Sequence, residues 1–194
     1  MKQAKVLSPL ELKRLLRVVS TTKHPERNRI IVLLSYLGGL RACEIASLRV
    51  CDVVSQASDK AEITDTVTLN SWQTKGAKSQ TLVLNSQLKR ELGLYLAKLD
   101  FDTPDKPLIN SQKGDGFTSQ TIQNLFRNLY RAAGILNASS HSGRRTYITT
   151  LSERGVSVRV IQALARHSSL VTTQRYIDVS VDKLRAAAEQ VRFL

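Results

Sequence analysis

The sequence predicts a mainly α (α+β) protein: a helical domain that carries one small antiparallel β-sheet. Over most of the chain, apolar residues recur three or four positions apart, which is the period of an amphipathic helix. Only Glu62–Leu69 and Gln80–Leu84 are instead rich in Val, Thr, Ile and Leu, as β-strands are. The 194 residues, 42% of them hydrophobic, fit one domain with an apolar core, and we therefore expect a single domain over residues 1–194.

Helix signals begin near the amino terminus. Ser8, Pro9 and Glu11 supply a cap, a proline at the first helical position and the acid of a capping box. Apolar residues then follow at helical spacing: Leu12, Leu15, Leu16 and Val19. A second helix is predicted from Glu26 to Leu37, ending at Gly38-Gly39 because glycine readily adopts the left-handed conformation of a helix stop. A short helix is expected near Ala42–Leu48.

The two strand-like segments flank Lys75-Gly76-Ala77-Lys78, which predicts the tip of a hairpin. Thr103–Gly116 contains two prolines and two glycines and is predicted to be a loop. Further helices are predicted at Ser86–Leu99, Thr118–Ala133, His141–Arg154, Ser157–Ala165 and Val181–Val191. We expect residues 179–194 to form a tail helix that can contact another protomer.

The charge of the chain indicates a polyanionic partner. Lys and Arg number 29 against 16 Asp and Glu, a net charge of +13. The basic residues are spread along the chain instead of forming one amphipathic helix, which favours a nucleic acid over a membrane surface. No apolar run is long enough to span a bilayer and no cleavable signal is recognisable, so we expect a cytoplasmic protein.

Several polar residues stand out from their apolar surroundings. Arg41 follows an apolar helix and two glycines, with Glu44 three residues later. His141 and Arg144 are also three residues apart, on one face of a helix start. His167 and Tyr176 are nine residues apart near the end of the chain. These residue types suit an attack by tyrosine on a phosphodiester.

That reaction makes three chemical demands. A tyrosine phenol has a pKa of about 10, so roughly one molecule in a thousand is ionised at neutral pH, and its proton needs an acceptor. Negative charge on the non-bridging oxygens calls for fixed cations, which arginine forks supply well. The departing 5′ oxygen needs a proton from Lys or His. Because no acidic residues are spaced for a two-metal site, we expect neither a metal nor another cofactor.

The ordered set Arg41, Lys75, His141-x-x-Arg144, His167 and Tyr176 resembles the tyrosine recombinase (phage integrase) family over nearly the whole chain. That family includes phage integrases and chromosome dimer resolvases. The resemblance implies the family's helical catalytic domain and a site-specific recombinase that cleaves and rejoins DNA through a 3′-phosphotyrosine intermediate. It further implies DNA recombination or integration without metal or ATP, and self-assembly on DNA, as a tetramer in the synapse.

The resemblance also implies how the phosphate would be bound. Arg41 and Arg144 would clamp the scissile phosphate, and His167 would donate a further hydrogen bond to it. Glu44 matches the family's acidic position and would orient a neighbouring catalytic side chain instead of reacting itself.

Proton transfer is assigned in the same way. His141 would exchange the proton of the nucleophile Tyr176, and Lys75 would protonate the leaving 5′ oxygen. Lys78 lies three residues away on the same predicted hairpin and is the alternative to Lys75.

The chain departs from the family pattern in three places. Gly143 stands where the family usually has Leu, and we expect it to loosen the start of that helix. Arg145 stands where His is common, and Arg166 replaces the Gly that normally precedes the second His. The chain begins where the catalytic domain usually begins, so the family's amino-terminal DNA-clamping domain is expected to be absent.

Two other functions remain open. Arg154-Gly155-Val156-Ser157 could join the helices of a helix-turn-helix, which would make the protein a DNA-binding transcriptional regulator without catalysis. A type IB topoisomerase would use the same phosphotyrosine chemistry to relax supercoils. The products distinguish the three: exchanged strands, relaxed circles, or bound but uncut DNA.

Overall fold

The computed structural model describes residues 3–55, 62–74, 78–99, 104–111, 115–177 and 181–191, apart from the side chains of residues 182, 183, 186 and 187. The predicted catalytic Lys75 and the hairpin tip lie outside this part of the chain. Within it, no helix is long and apolar enough to cross a membrane.

The described residues form a mainly helical domain, as the sequence predicts. The helices are α1 Pro9–Ser20, α2 Pro25–Leu37, α3 Ala42–Ser47, α4 Val50–Val53, α5 Ser86–Leu96, α6 Ser119–Ala132, α7 Ser142–Glu153, α8 Val158–Ala165, α9 Leu170–Gln174 and α10 Val181–Ala188. The strands are β1 Val54–Ser55, β2 Glu62–Ile63, β3 Thr66–Leu69 and β4 Gln80–Val83, and a 3₁₀ turn spans Ser71–Gln73.

The strands form two small antiparallel sheets where one was expected. β3 pairs with β4, from Thr66 opposite Val83 to Leu69 opposite Gln80. β2 pairs instead with β1, which directly follows α4. The predicted strand Glu62–Leu69 breaks at Thr64, whose backbone N–H donates to the Val53 carbonyl (3.0 Å). The continuous strand pattern Glu62–Leu69 therefore forms two strands, β2 and β3, which pair with different partners.

The local signals at α1 are confirmed. The Ser8 hydroxyl accepts from the Glu11 backbone N–H (3.2 Å), and the Glu11 carboxylate accepts from the Ser8 N–H (3.0 Å). This reciprocal pair satisfies two donors that a helix start would otherwise leave without a partner.

α2 is the central helix of the core. It packs against α1, α3, α5 and α7, and its residues Ile30–Ser35 are all buried. A helix segment surrounded on all sides has no polar face, which explains the uninterrupted apolar run from Ile30 to Leu34. Because α2 ends at the site described below, the core fixes where that end lies.

The turn after α2 requires glycine. Gly39 has a φ of +62°, and a Cβ there would lie 2.6 Å from Cδ1 of Tyr147. The left-handed backbone and the close approach of α7 together exclude a larger residue. This turn directs Leu40 into the core and places Arg41 at the start of α3.

Gly143 also serves packing. It lies on α7 where that helix meets α2, and a Cβ at this position would stand 2.5 Å from Oγ and 2.9 Å from Cβ of Ser35. The leucine usual in the family could not fit at this separation. The glycine therefore permits the close approach of the two helices.

A second, smaller apolar cluster lies at the carboxy-terminal side of the domain. It consists of the buried residues Ile148, Ile161 and Ala165, with Tyr176 and Ile177 packed against them. α7 and α8 supply this cluster, and the short helix α9, which the sequence did not predict, leads to Tyr176.

Candidate active site

Four of the residues singled out in the sequence meet where α2, α3, α7 and α8 end or begin. Arg41 is the residue before α3, and Arg144 lies in the first turn of α7. His167 follows α8, and Tyr176 follows α9. The charges of Arg41 and Arg144 both act on His167, whose ring is stacked on that of Tyr176 with centroids 5.7 Å apart.

Glu44 is the centre of this arrangement, with a fully buried side chain. Its Oε1 accepts from Nη1 of Arg41 (2.5 Å), and its Oε2 accepts from the Arg41 backbone N–H (2.9 Å). Oε2 also accepts from Nη2 of Arg166 (2.9 Å). We call Arg41, Arg144 and Arg166, grouped around Glu44, the guanidinium cluster.

The cluster keeps the carboxylate ionised. Burial by itself would raise the pKa of Glu44, but Arg166, Arg41, the Arg41 backbone N–H and Arg144 outweigh that effect. The pKa of Glu44 therefore lies below its ordinary value. Three guanidinium groups share this one carboxylate, so the cluster carries excess positive charge beside Tyr176 and can bind an anion.

Arg144 is held by backbone carbonyls. Its Nη1 donates to the Gly39 carbonyl (2.6 Å), and its Nη2 donates to the Ala165 carbonyl. Burial, followed by the charges of Arg41 and Arg166, lowers the pKa of Arg144 to about 9. The guanidinium is therefore still protonated at neutral pH and ties the turn after α2 to the end of α8.

His167 is buried and positioned by Thr173. Its Nδ1 lies 2.9 Å from the Thr173 hydroxyl, and its backbone N–H donates to the Gln162 carbonyl (3.1 Å). Burial, with the charges of Arg144, Arg41 and Arg166, lowers the pKa of His167 from 6.5 to about 4. The imidazole is therefore neutral at physiological pH, and when Thr173 donates to Nδ1, Nε2–H is a donor.

Tyr176 faces a cavity. Its backbone N–H donates to the Thr173 carbonyl (3.0 Å), and Cζ of Arg145 lies 5.8 Å from the centre of its ring. The cavity has a volume of about 890 Å³ and is lined by Tyr176 and His141 together with Arg145 and Arg175. The phenol and the exposed His141 thus open onto one basic space.

Lys75 and Lys78 both lie between β3 and β4 in the sequence, and β4 contacts this site. Nε2 of Gln80 on β4 donates to the Arg166 carbonyl (3.4 Å), one residue before His167. Lys78 is exposed, and its carbonyl accepts from the Thr74 hydroxyl (2.8 Å). Lys75 itself is not described, so the choice between the two lysines stays a prediction.

The site contains residues for which no role was predicted from the sequence. Arg145 and Arg166 were recognisable only as differences from the family pattern. Thr173 carried no signal, because six residues separate it from His167 and no motif links them. In the part of the chain that the structure describes, no three His, Cys, Asp or Glu side chains are grouped so that they could hold a metal ion.

Fold and site together define a helical domain with a buried guanidinium cluster beside a tyrosine. Comparisons with known proteins identify the family to which it belongs. The sequence model of the phage integrase family matches residues 5–183. The tyrosine recombinase XerA of Thermococcus kodakarensis is 33% identical over 192 residues, covering 98% of this chain and 64% of the relative. The tyrosine recombinase XerD of Oceanobacillus iheyensis is 28% identical over 186 residues, covering 93% of this chain and 59% of the relative.

Solved structures show the same fold. The crystal structure of XerA recombinase matches with a TM-score of 0.75 and 27% identity, covering 100% of this chain and 66% of that chain. The Tn1549 transposon integrase in complex with transposon right end DNA matches with a TM-score of 0.74 at 16% identity, covering 98% of this chain and 66% of that chain, which shows a shared fold.

The chain belongs to the phage integrase family. This confirms the family resemblance and the helical fold expected from the sequence. The chain spans 62–64% of the length of the four XerA relatives it matches.

The low pKa of His167 predicts a specific loss of stability in acid. Below pH 6.5 the unfolded chain protonates this histidine, whereas the folded chain does so only near pH 4. The unfolded state therefore binds more protons in that window, and the free energy of unfolding should fall as the pH decreases through it. His167→Gln should reduce this slope in urea denaturation between about pH 7 and about pH 4.5.

Gln174→Ala provides the control, because it changes an exposed side chain that does not titrate and should leave the slope close to that of the wild type. Protonation of Glu44 affects the wild type and both variants alike, so it cancels when their pH profiles are compared. Parallel pH profiles for the wild type and His167→Gln would contradict a neutral, buried His167.

Proposed function

We propose that this chain is the catalytic domain of a site-specific DNA recombinase that cleaves and rejoins strands through a 3′-phosphotyrosine intermediate. The observation that carries this proposal is the guanidinium cluster, with its excess positive charge, directly beside Tyr176 and a neutral His167. Such a group of fixed donors suits the charge that develops on a phosphate under attack.

The phosphate clamp consists of Arg41 and Arg144. The Arg41 side chain is 21% exposed and is therefore accessible to a ligand, while Glu44 orients it from behind. Arg144 has two of its donors held by carbonyls, and a guanidinium has five N–H donors in all. We assign the remaining donors to the non-bridging oxygens, with Arg41 as the more accessible of the two residues, because Arg144 is only 4% exposed.

His167 adds a neutral donor to this clamp. With Nδ1 bonded to Thr173, its Nε2–H would bond a phosphate oxygen without adding a mobile proton. His141 lines the same cavity as Tyr176 and is assigned to exchange the phenolic proton. Lys75 is assigned to protonate the 5′ oxygen as it leaves.

Strand joining reverses these steps. The 3′-phosphotyrosyl bond retains the energy of the phosphodiester, so attack by another 5′ hydroxyl restores the DNA backbone without ATP. We propose that no metal is needed, because side-chain cations occupy the positions from which they can neutralise the phosphate.

Double-stranded DNA is the proposed substrate. The net charge of +13 favours a polyanion. Structural relatives include the Tn1549 transposon integrase in complex with transposon right end DNA and XerH site-specific recombinase bound to difH substrate. Action on DNA is consistent with the cytoplasmic location expected from the sequence.

The alternative functions fit the site less well. α7 and α8 do flank the turn at Gly155, which has a φ of +75°, as a helix-turn-helix would require. A regulator, however, has no use for buried arginines whose desolvation is costly. A topoisomerase would use the same site, and the exchange of strands between duplexes separates it from a recombinase.

We further propose that α10 mediates contact between protomers on DNA, as in a tetrameric synapse. Val181 and Leu184, three residues apart on α10, are 70% and 59% exposed, and Val191, just beyond the end of α10, is 86% exposed. Exposed apolar residues on one side of a helix favour docking into a groove of another protein surface. A second copy of this chain is the proposed partner, because strand exchange needs several active sites at one place.

Tyr176→Phe should abolish covalent attachment to DNA and leave DNA binding intact, because only the phenolic oxygen is removed. The test uses a nicked suicide duplex in excess EDTA, followed by denaturing electrophoresis and peptide mapping. Tyr36→Phe, at a half-buried tyrosine of α2, is the control and should react as the wild type does. A denaturation-resistant adduct with Tyr176→Phe would show that another residue is the nucleophile.

Lys75→Ala should slow cleavage by a factor on the order of 10² to 10⁴, the usual contribution of a general acid. Sulfur in place of the bridging 5′ oxygen should largely restore the rate, because a thiolate leaves without a proton. Arg144→Ala should not recover on this substrate, since the sulfur does not replace a phosphate clamp. Lys78→Ala is the matched comparison. Rescue of Lys78→Ala alone by the sulfur substrate would refute the assignment of Lys75 as the general acid. Equal rescue of Lys75→Ala and Arg144→Ala would refute it as well.

The double substitution Val181→Ser and Leu184→Ser should prevent assembly of two-duplex complexes on native gels while cleavage of single suicide duplexes continues. The reason is the loss of the apolar surface proposed to dock on a neighbour. Leu94→Ser is the matched control, because Leu94 on α5 has the same 59% exposure as Leu184. Unchanged assembly by the double variant would exclude α10 as the contact.

A further inference from the structure

Arg166 occupies a backbone position at which glycine would be free of strain. It ends α8 with φ 55° and ψ 44°, in the left-handed region. A residue with a Cβ is disfavoured there, whereas glycine adopts this conformation readily. Contacts of the arginine side chain must therefore offset a backbone cost that the glycine usual in the family would not incur.

Those contacts are buried and specific. The Arg166 side chain is 1% exposed. Its Nη2 donates to Oε2 of Glu44 (2.9 Å) and to the Gly39 carbonyl (3.2 Å). Its Nη1 donates to the carbonyls of Leu164 (3.1 Å) and Gly38 (3.4 Å). Three of these four acceptors belong to the turn that precedes Arg41 or to the carboxylate that pairs with Arg41.

We propose that Arg166 is a positioning residue for the scissile phosphate: it fixes Glu44 and the Gly38-Gly39 turn, and so fixes the direction in which Arg41 presents its free donors. This inference rests on the proposed function.

The division of the Glu44 oxygens explains how this works. Oε1 accepts from the Arg41 side chain, while Oε2 accepts from Arg166 and from the Arg41 backbone. Without Arg166, Oε2 loses one donor and can accept a second bond from the Arg41 fork. Arginine and carboxylate favour that bidentate pairing. Arg41 would then turn toward Glu44 and away from the phosphate.

Arg166 also acts on the turn itself. The Gly39 carbonyl accepts from both Arg166 and Arg144, so two guanidinium groups hold the peptide that directly precedes Leu40 and Arg41. The charge of Arg166 adds to the positive potential at the site, and it contributes to keeping His167 neutral. Its removal would therefore affect both the geometry and the charge seen by the phosphate.

The experiment compares Arg166→Gly and Arg166→Lys with the wild-type chain. Arg166→Gly relieves the backbone and removes the fork, while Arg166→Lys keeps the charge without the fork. Arg131→Gln is the control, because it removes the same charge from an exposed position on α6. Single-turnover adduct formation is measured at saturating protein on suicide duplexes with either a phosphate or a neutral methylphosphonate at the cleavage site. Half-site affinity and thermal unfolding are measured in parallel.

Arg166→Gly should slow cleavage of the phosphate substrate on the order of 10- to 100-fold, as misplacement of a catalytic group does, with half-site affinity unchanged. The deficit should shrink on the methylphosphonate, which has no charge for Arg41 to neutralise. Arg166→Lys should be intermediate, and Arg131→Gln should match the wild type. An equal deficit on both substrates would indicate a structural role alone and overturn the inference, as would a wild-type rate for Arg166→Gly.

A second measurement does not depend on activity. The side-chain ¹H–¹⁵N resonances of Arg41, assigned with Arg41→Lys, should shift in Arg166→Gly as Arg41 turns toward Glu44. Unchanged Arg41 resonances would overturn the inference. Failure of the proposed function gives a different result: the wild-type chain itself forms no Tyr176 adduct, while the Arg41 resonances still report on Arg166.

Discussion

The site depends on one buried carboxylate among three guanidinium groups. Removing these charges from water is costly, and the cost is offset only when each group keeps charged or hydrogen-bonded partners. Glu44 therefore has donors on both oxygens, and Arg144 and Arg166 bind the carbonyls of the turn after α2 and of the end of α8. The chain segments that supply those carbonyls are fixed by the same bonds. A single electrostatic requirement thus determines how the helices meet at this point.

The excess charge of that cluster also sets the protonation state of its neighbour. Two positive charges remain after Glu44 is counted, so a charged imidazole beside them is disfavoured by both burial and repulsion. His167 is therefore a neutral donor oriented by Thr173. In the proposed mechanism, proton transfer falls to the exposed His141 and to Lys75, so the proposed phosphate binding and acid–base chemistry involve separate residues.

Arg41 and Tyr176, the proposed phosphate ligand and nucleophile, are supported by different parts of the molecule. Arg41 follows the turn after the central helix α2, which packs against four other helices. Tyr176 instead belongs to the smaller cluster formed by α7 and α8. Contacts between the two parts occur where Arg144 and Arg166 donate to the Gly39 carbonyl and where Arg166 donates to Glu44. Arg144 on α7 and Arg166 at the end of α8 therefore connect the turn before Arg41 to the part of the molecule that carries Tyr176.

The sequence by itself determined most of the helices, the hairpin, the family and the ordered set of candidate residues, because caps, periodicity and motif spacing are local or linear features. Tertiary structure decided the rest. Glu44 and Arg166 are 122 residues apart, so no local pattern could show that Arg166 shares the carboxylate of Arg41. The packing role of Gly143 is evident only from its close approach to Ser35 on another helix. The role of Thr173 is evident only from its hydrogen bond to the buried ring of His167. The second sheet was not predicted because Val54-Ser55 shows no strand pattern in the sequence. It is a strand only through its pairing with Glu62-Ile63. Each of these features is a contact between residues that no sequence motif links, and it exists only when packing has brought them together.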